Sequence, residues 1–130
     1  MMARSDRLQI FHNPRCSKSR AALAIIEAAG VEHDVVRYMD DPPSAARLKK
    51  LLGALDMKPR RLMRRKEAVY RELRLDDEGL DEKALIDAMV AHPSLIERPI
   101  VALGDKACLG RPPEKVAVFL EEVGLSRGQA

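Results

Sequence analysis

The sequence predicts an α/β fold: a mixed β-sheet flanked by helices. Three observations carry that expectation. A strand, a helix and a second strand follow one another at the N-terminal end. From about residue 44 to 96 the pattern is helical. Two short strands and a last helix return after Pro99.

Residues 7 to 12, with Leu8-Gln9-Ile10-Phe11 at their centre, read as a strand, and the Ala-, Leu- and Ile-rich residues 17 to 29 read as a helix ended by Gly30. His33-Asp34-Val35-Val36-Arg37-Tyr38-Met39 has β-branched and aromatic character and is expected as a second strand, closed by Asp40-Asp41-Pro42-Pro43. A helix of that length between two strands implies a parallel pair with a right-handed crossover. Ser44 precedes Leu48, Leu51 and Leu52 at helical spacing and is expected to cap a helix to about Leu55. Residues 58 to 74 carry Leu62, Met63, Tyr70 and Leu73 amid many Arg and Lys and suggest short basic helices. Asp81 opens another helix, with Leu85, Ile86, Met89 and Val90 on its apolar face, which ends before Pro93.

Pro99 to Leu103 is strand-like, Gly104-Asp105-Lys106 is a hairpin turn, and Ala107-Cys108-Leu109 is a short return strand. Pro112 and Pro113 lie near the first turn of a final helix bearing Val116, Val118, Phe119, Leu120 and Val123. Gly124 ends it, and a loose tail to Ala130 is expected. The order β-α-β, helical insertion, β-β-α is a thioredoxin-like topology. Residues 1–130 read as one domain with an insertion at about 44–96.

A chain of 130 residues with 46% hydrophobic content can bury a core without disulfides or metal. Trp is absent and aromatics are 3%, so the core is expected to be aliphatic and Met-filled, with too few rings for a base-stacking platform. The net charge of +3 is mild and fits an anion-binding enzyme, with no nucleic-acid partner. No segment approaches the roughly 18 apolar residues of a membrane span, and Met1 to Arg7 lack the apolar run of a signal peptide. Cys16 and Cys108 are far apart, so a reducing cytoplasm and a monomer are expected. The three histidines stand in no Cys/His spacing, and no metal site is expected.

The chemistry centres on Cys16, in the run His12-Asn13-Pro14-Arg15-Cys16-Ser17-Lys18-Ser19-Arg20, where the first strand hands over to the first helix. Unsatisfied N–H groups and the positive end of the macrodipole at a helix start favour thiolate over thiol. The residue three after Cys16 is Ser19, so an internal resolving thiol is missing, and an adduct on Cys16 must be resolved by another molecule or by Cys108. Ser19 is expected either to donate a hydrogen bond to the thiolate or to be an ordinary first-turn serine. His12 is a candidate to stabilise the thiolate or to orient the loop. Only three residues separate Cys16 from Arg20, whereas a cysteine-phosphatase loop needs five between Cys and Arg, which argues against that reading. Even so, a helix N-terminus with guanidinium groups is a ready oxyanion site. Arg64, Arg98 and Arg111 are further candidates, because a planar charged fork suits a tetrahedral oxyanion. Pro99, after Arg98, opens the third strand, a place where thioredoxin-type sheets often carry a cis bond beside the cysteine. Cys108 reads as a small buried strand residue.

The run His12-Asn13-Pro14-x-Cys16-x-x-Ser19-Arg20 strongly resembles the glutaredoxin-coupled arsenate reductase family. The likeness continues through Asp41-Pro42-Pro43-Ser44, Leu62-Met63-Arg64-Arg65-Lys66, His92-Pro93, Glu97-Arg98-Pro99-Ile100-Val101 and Gly110-Arg111-Pro112-Pro113-Glu114, covering residues 7 to about 122. The last of these strings and Met63 to Glu67 look closer to a chromosomally encoded, less characterised branch. The resemblance implies that Cys16 attacks arsenate while Arg64, Arg98 and Arg111 hold the oxyanion. It implies glutathione as co-substrate, glutaredoxin as the partner that regenerates the thiol, and no bound cofactor. Two other readings of the same fold are an RNA-polymerase-binding redox regulator, which needs no oxyanion site, and a general glutathione-dependent monothiol oxidoreductase, which gives the arginines no purpose.

Overall fold

In the computed structural model, which describes residues 7–125, four strands form one mixed sheet in the order β2-β1-β3-β4. β1 (Leu8–Phe11) runs parallel to β2 (His33–Val36), and α1 (Ser17–Ala28) makes the crossover. β3 (Ile100–Leu103) lies antiparallel on the other side of β1 and turns back into β4 (Lys106–Leu109), after which α6 (Glu114–Glu122) follows. Between β2 and β3 stand α2 (Ala45–Leu55), α3 (Pro59–Leu62), α4 (Ala68–Glu72), α5 (Glu82–Ala91) and a 3-10 turn, Pro93–Leu95. This is the thioredoxin-like order that the sequence predicts. The expected loose tail falls on residues 126–130, outside those described.

Alternation along the central strands decides what covers each face. Leu8, Ile10 and Val101 point to one side, where Ala22 and Ile26 of α1 and Val116, Phe119 and Leu120 of α6 complete a core. Phe11, Ile100 and Ala102 point to the other, into a larger core with Leu48, Leu51 and Leu52 of α2 and Leu85, Ile86 and Met89 of α5. A one-residue slip would exchange the two sets, so burial on both faces fixes the register. The helical insertion is therefore the second outer layer of the sheet.

Caps hold the insertion as expected. The Ser44 hydroxyl accepts from the Arg47 N–H at 3.1 Å and the Asp81 carboxylate from the Ala84 N–H at 2.8 Å. One boundary differs: β2 ends at Val36 rather than Met39. The carbonyl of Arg37 accepts from the N–H groups of both Asp40 and Asp41, which turns the chain and sends Tyr38 into the core at 1% exposure. The hairpin turn is also tighter, since Lys106 already pairs with Leu103.

Two local features gather distant segments at one edge of the sheet. The Arg64 N–H donates to Leu95 O and the Glu97 N–H to Leu62 O, both at 2.7 Å, clamping the end of α3 to the residues before β3. Beyond β4, a Cβ on Gly110 would stand 3.0 Å from both Pro99 Cγ and Val116 Cγ2, so glycine lets the chain pass close between Pro99 and α6 without pressing on either. No helix among the described residues is long and apolar enough to cross a membrane.

Ile10→Ala, at a position with 0% exposure, is expected to cost about 2–5 kcal/mol through lost burial and the cavity left behind. Gly110→Ala is expected to cost about 1–3 kcal/mol by overpacking. Urea unfolding midpoints check both, and a Gly110→Ala protein as stable as the parent would refute the packing argument.

Candidate active site

Cys16 is the N-cap of α1, with φ −100 and ψ 123, and is 8% exposed. The loop that presents it is closed by its own N–H donating to Asn13 O at 3.0 Å, and the Asn13 side-chain oxygen accepts from the Arg15 N–H at 3.0 Å. At an N-cap, the N–H groups two and three residues on are the ones a capping atom serves. Here they belong to Lys18 and Ser19. Burial pushes the Cys16 thiol up, but the Ser19 N–H, the charge of Arg98 and the Lys18 N–H together outweigh it, and the net pKa is lowered. The sulfur is thus activated by backbone and guanidinium together.

The Ser19 side chain does something other than the expected bond to sulfur. Fully buried, its hydroxyl lies 2.7 Å from His12 Nδ1 and accepts from the Asn13 N–H at 3.0 Å. It is the backbone of Ser19, not the hydroxyl, that serves the thiolate. His12 is buried, and burial with the charges of Arg37 and Arg20 lowers its pKa, so it is neutral at pH 7. It orients the loop through Ser19 and contributes no positive charge to the sulfur. Arg20 is turned outward, donating to Pro14 O at 2.8 Å, and braces the loop from outside.

Three arginines approach from later in the chain. Arg98, 17% exposed in its side chain, stands beside Cys16, and its Nη1 donates to the Glu97 carboxylate at 2.9 Å. Arg111 Nη1 lies 3.7 Å from that same Glu97 oxygen and donates to Arg98 O at 3.3 Å. Arg64 pairs with Glu67 at 3.1 Å and donates to Ser94 O at 3.3 Å. Tyr38 connects the group, because its hydroxyl feels the charges of Arg98, Arg64 and Cys16 at once. The Arg98-Pro99 and Arg111-Pro112 bonds are both cis.

The pattern of the ArsC family matches residues 11–119, which spans the cysteine loop, the arginines and nearly all of the sheet. This chain belongs to the ArsC family. It is 53% identical over 121 residues to the uncharacterized Escherichia coli K12 protein YfgD, covering 92% of this chain and 99% of that one. An arsenate reductase of Neisseria meningitidis is 47% identical over 114 residues, 87% of this chain and 97% of the relative. A solved structure of an arsenate reductase from Vibrio cholerae superposes with a TM-score of 0.82 at 47% identity, over 85% of this chain and 94% of that one.

Seen as an ArsC-family site, the constellation gathers Cys16, Arg98 and Arg64 around Tyr38 and links Arg111 to them through Glu97. Sequence reasoning missed Glu97 and Tyr38. An acidic residue next to Arg98 is the only signal for the first, and the second is masked by its place in an apparent strand. Cys108 stands apart from this site: partly buried, it packs against the core under α6, where burial and Glu122 push its thiol up to about 12. Both cysteines are free.

Iodoacetamide at about pH 7–8 is expected to alkylate Cys16 quickly and leave Cys108 intact in the folded protein, because thiolate is the reacting species. Since the pKa of Cys16 is lowered, its reactivity persists to lower pH than that of a free cysteine. Arg98→Gln is expected to move the pH–rate midpoint upward and slow the reaction at neutral pH. Equal labelling of the two cysteines, read by peptide mass spectrometry, would refute this assignment.

Proposed function

We propose that this chain is an arsenate reductase in which the Cys16 thiolate is the nucleophile and Arg64, Arg98 and Arg111 hold the oxyanion. The observation that carries the reading is the lowered pKa of a buried Cys16 beside Arg98, within a family whose relatives include arsenate reductases. Thiolate attack on arsenic forms an S–As bond, and one arsenate oxygen leaves as water. The arginines offset the negative charge on the remaining oxygens.

Resolution is assigned to external thiols. Glutathione adds its sulfur to the arsenic with loss of a second water. A glutaredoxin thiolate then attacks the glutathione sulfur, breaking the S–As bond; its electron pair stays on arsenic, which passes from As(V) to As(III). Hydrolysis releases arsenite and returns the Cys16 thiol, while the two external sulfurs leave as a mixed disulfide. Ser19 at the position of a resolving thiol and the raised pKa of Cys108, partly buried against the core under α6, both support an external route. The arginine set favours this reading over a polymerase-binding regulator, which needs no oxyanion ligands.

The test is arsenate-dependent NADPH oxidation with glutathione, glutaredoxin and glutathione reductase. Cys16→Ser is expected to abolish turnover and Cys108→Ser to keep most of it. Arg98→Gln or Arg64→Gln is expected to lower kcat/KM for arsenate by about 100-fold or more. Absence of Cys16-dependent turnover at high arsenate would sink the proposal, and equal damage from both cysteine changes would replace the external route by an internal disulfide.

A further inference from the structure

Two polar groups at the site are buried without a hydrogen-bond partner among the described residues: the hydroxyl of Tyr38 and Nε of Arg98. Each carries a proton to donate. Chain acceptors around them are already engaged: the Asn13 side-chain oxygen accepts from the Arg15 N–H, and the Glu97 carboxylate accepts from Arg98 Nη1. The Asn13 side chain lies beside the Tyr38 oxygen without completing a hydrogen bond. A buried unpaired hydroxyl is costly, and phenylalanine would fill the same space without the penalty. The cost at Tyr38 therefore points to an acceptor that the chain itself does not supply, while the Arg98 guanidinium already reaches toward the Cys16 sulfur.

Arg98 interacts electrostatically with Cys16, and Tyr38 with Arg98, Arg64 and Cys16, so an acceptor that serves both orphaned donors lies close to the Cys16 sulfur. We infer that Tyr38 is a further substrate-binding residue of this site, donating its O–H to an oxygen of the oxyanion at Cys16 while Arg98 Nε donates to the same anion. The inference rests on the oxyanion reading above and extends it to a neutral donor. Burial raises the pKa of Tyr38, against the pull of Arg98 and Arg64, so the phenol keeps the proton it donates. A neutral donor suits the place. Arg64, Arg98 and Arg111 already outnumber Glu97 and Glu67, and a further fixed charge would hold the product as strongly as the substrate.

The experiment measures protection of Cys16 from iodoacetamide by arsenate, and separately by phosphate, in the parent protein and in Tyr38→Phe. The variant is expected to need about tenfold or more anion for half protection, the scale of a lost hydrogen bond to a charged group. Protection is read in each protein against its own alkylation rate without anion. The variant's Tm without anion is expected to equal or exceed that of the parent, because an orphaned hydroxyl has been removed. Equal protection in the two proteins would overturn the inference and leave the reductase reading standing. Lack of protection in the parent would overturn both. A structural tyrosine would give the reverse signature, a lower Tm with unchanged protection. Should Tyr38→Phe fail to fold, tyrosine-labelled NMR of the parent decides the matter. The chain has two tyrosines, and arsenate is expected to shift the ring signal of Tyr38 but not that of Tyr70, which Arg60 holds outside the site. An unshifted Tyr38 signal at saturating anion would refute the contact.

Discussion

The antiparallel pairing of β1 with β3, which sets Phe11 opposite Ile100, is the constraint on which the site depends. One strand leaves the sheet there and the other enters it. Residues 12–16 and 97–99 are thereby brought side by side although more than half the chain separates them. The cysteine loop and Arg98 need no further device to meet. Burial on both faces holds this register, so the stability of the core and the geometry at Cys16 are set by the same contacts.

Charge at the site is balanced in layers. The start of α1 supplies fixed partial charge through the N–H groups of Lys18 and Ser19, and Arg98 supplies full charge at the sulfur. Glu97 holds Arg98 and Arg111, and Glu67 holds Arg64, so the three cations are fixed by the chain itself. Cations fixed in this way need not reorient to meet a negative charge placed among them. His12 completes the arrangement by staying neutral: as an imidazolium it would compete for the hydroxyl geometry that closes the loop.

Much of this was legible in the residues alone. The short apolar runs of β1 and β3, the caps at Ser44 and Asp81, and Cys16 before an apolar helix led directly to their elements. The turn at Arg37 was not legible, because Val35 to Met39 have the composition of a strand and only two main-chain hydrogen bonds to one carbonyl end it. Nor was the division of labour within Ser19, whose backbone serves the sulfur while its hydroxyl serves His12. Sequence names a residue type, and here two atoms of the same residue act on different partners. The meeting of Arg64 with the other arginines depends on the short clamp at Met63 and Ile96, which has no pattern of its own.

The clasp between Ser19 and His12 also bears on how such a protein changes over evolutionary time. A cysteine at position 19 would place a second sulfur one turn from Cys16, the spacing used by dithiol oxidoreductases. Yet the site is fully enclosed, and the oxygen there is held by a ring nitrogen and a main-chain N–H. A sulfur in its stead would be larger and a poorer acceptor for that main-chain N–H. A second thiol at this place would therefore be gained only by giving up the hydroxyl clasp that ties His12 and the Asn13 N–H to α1.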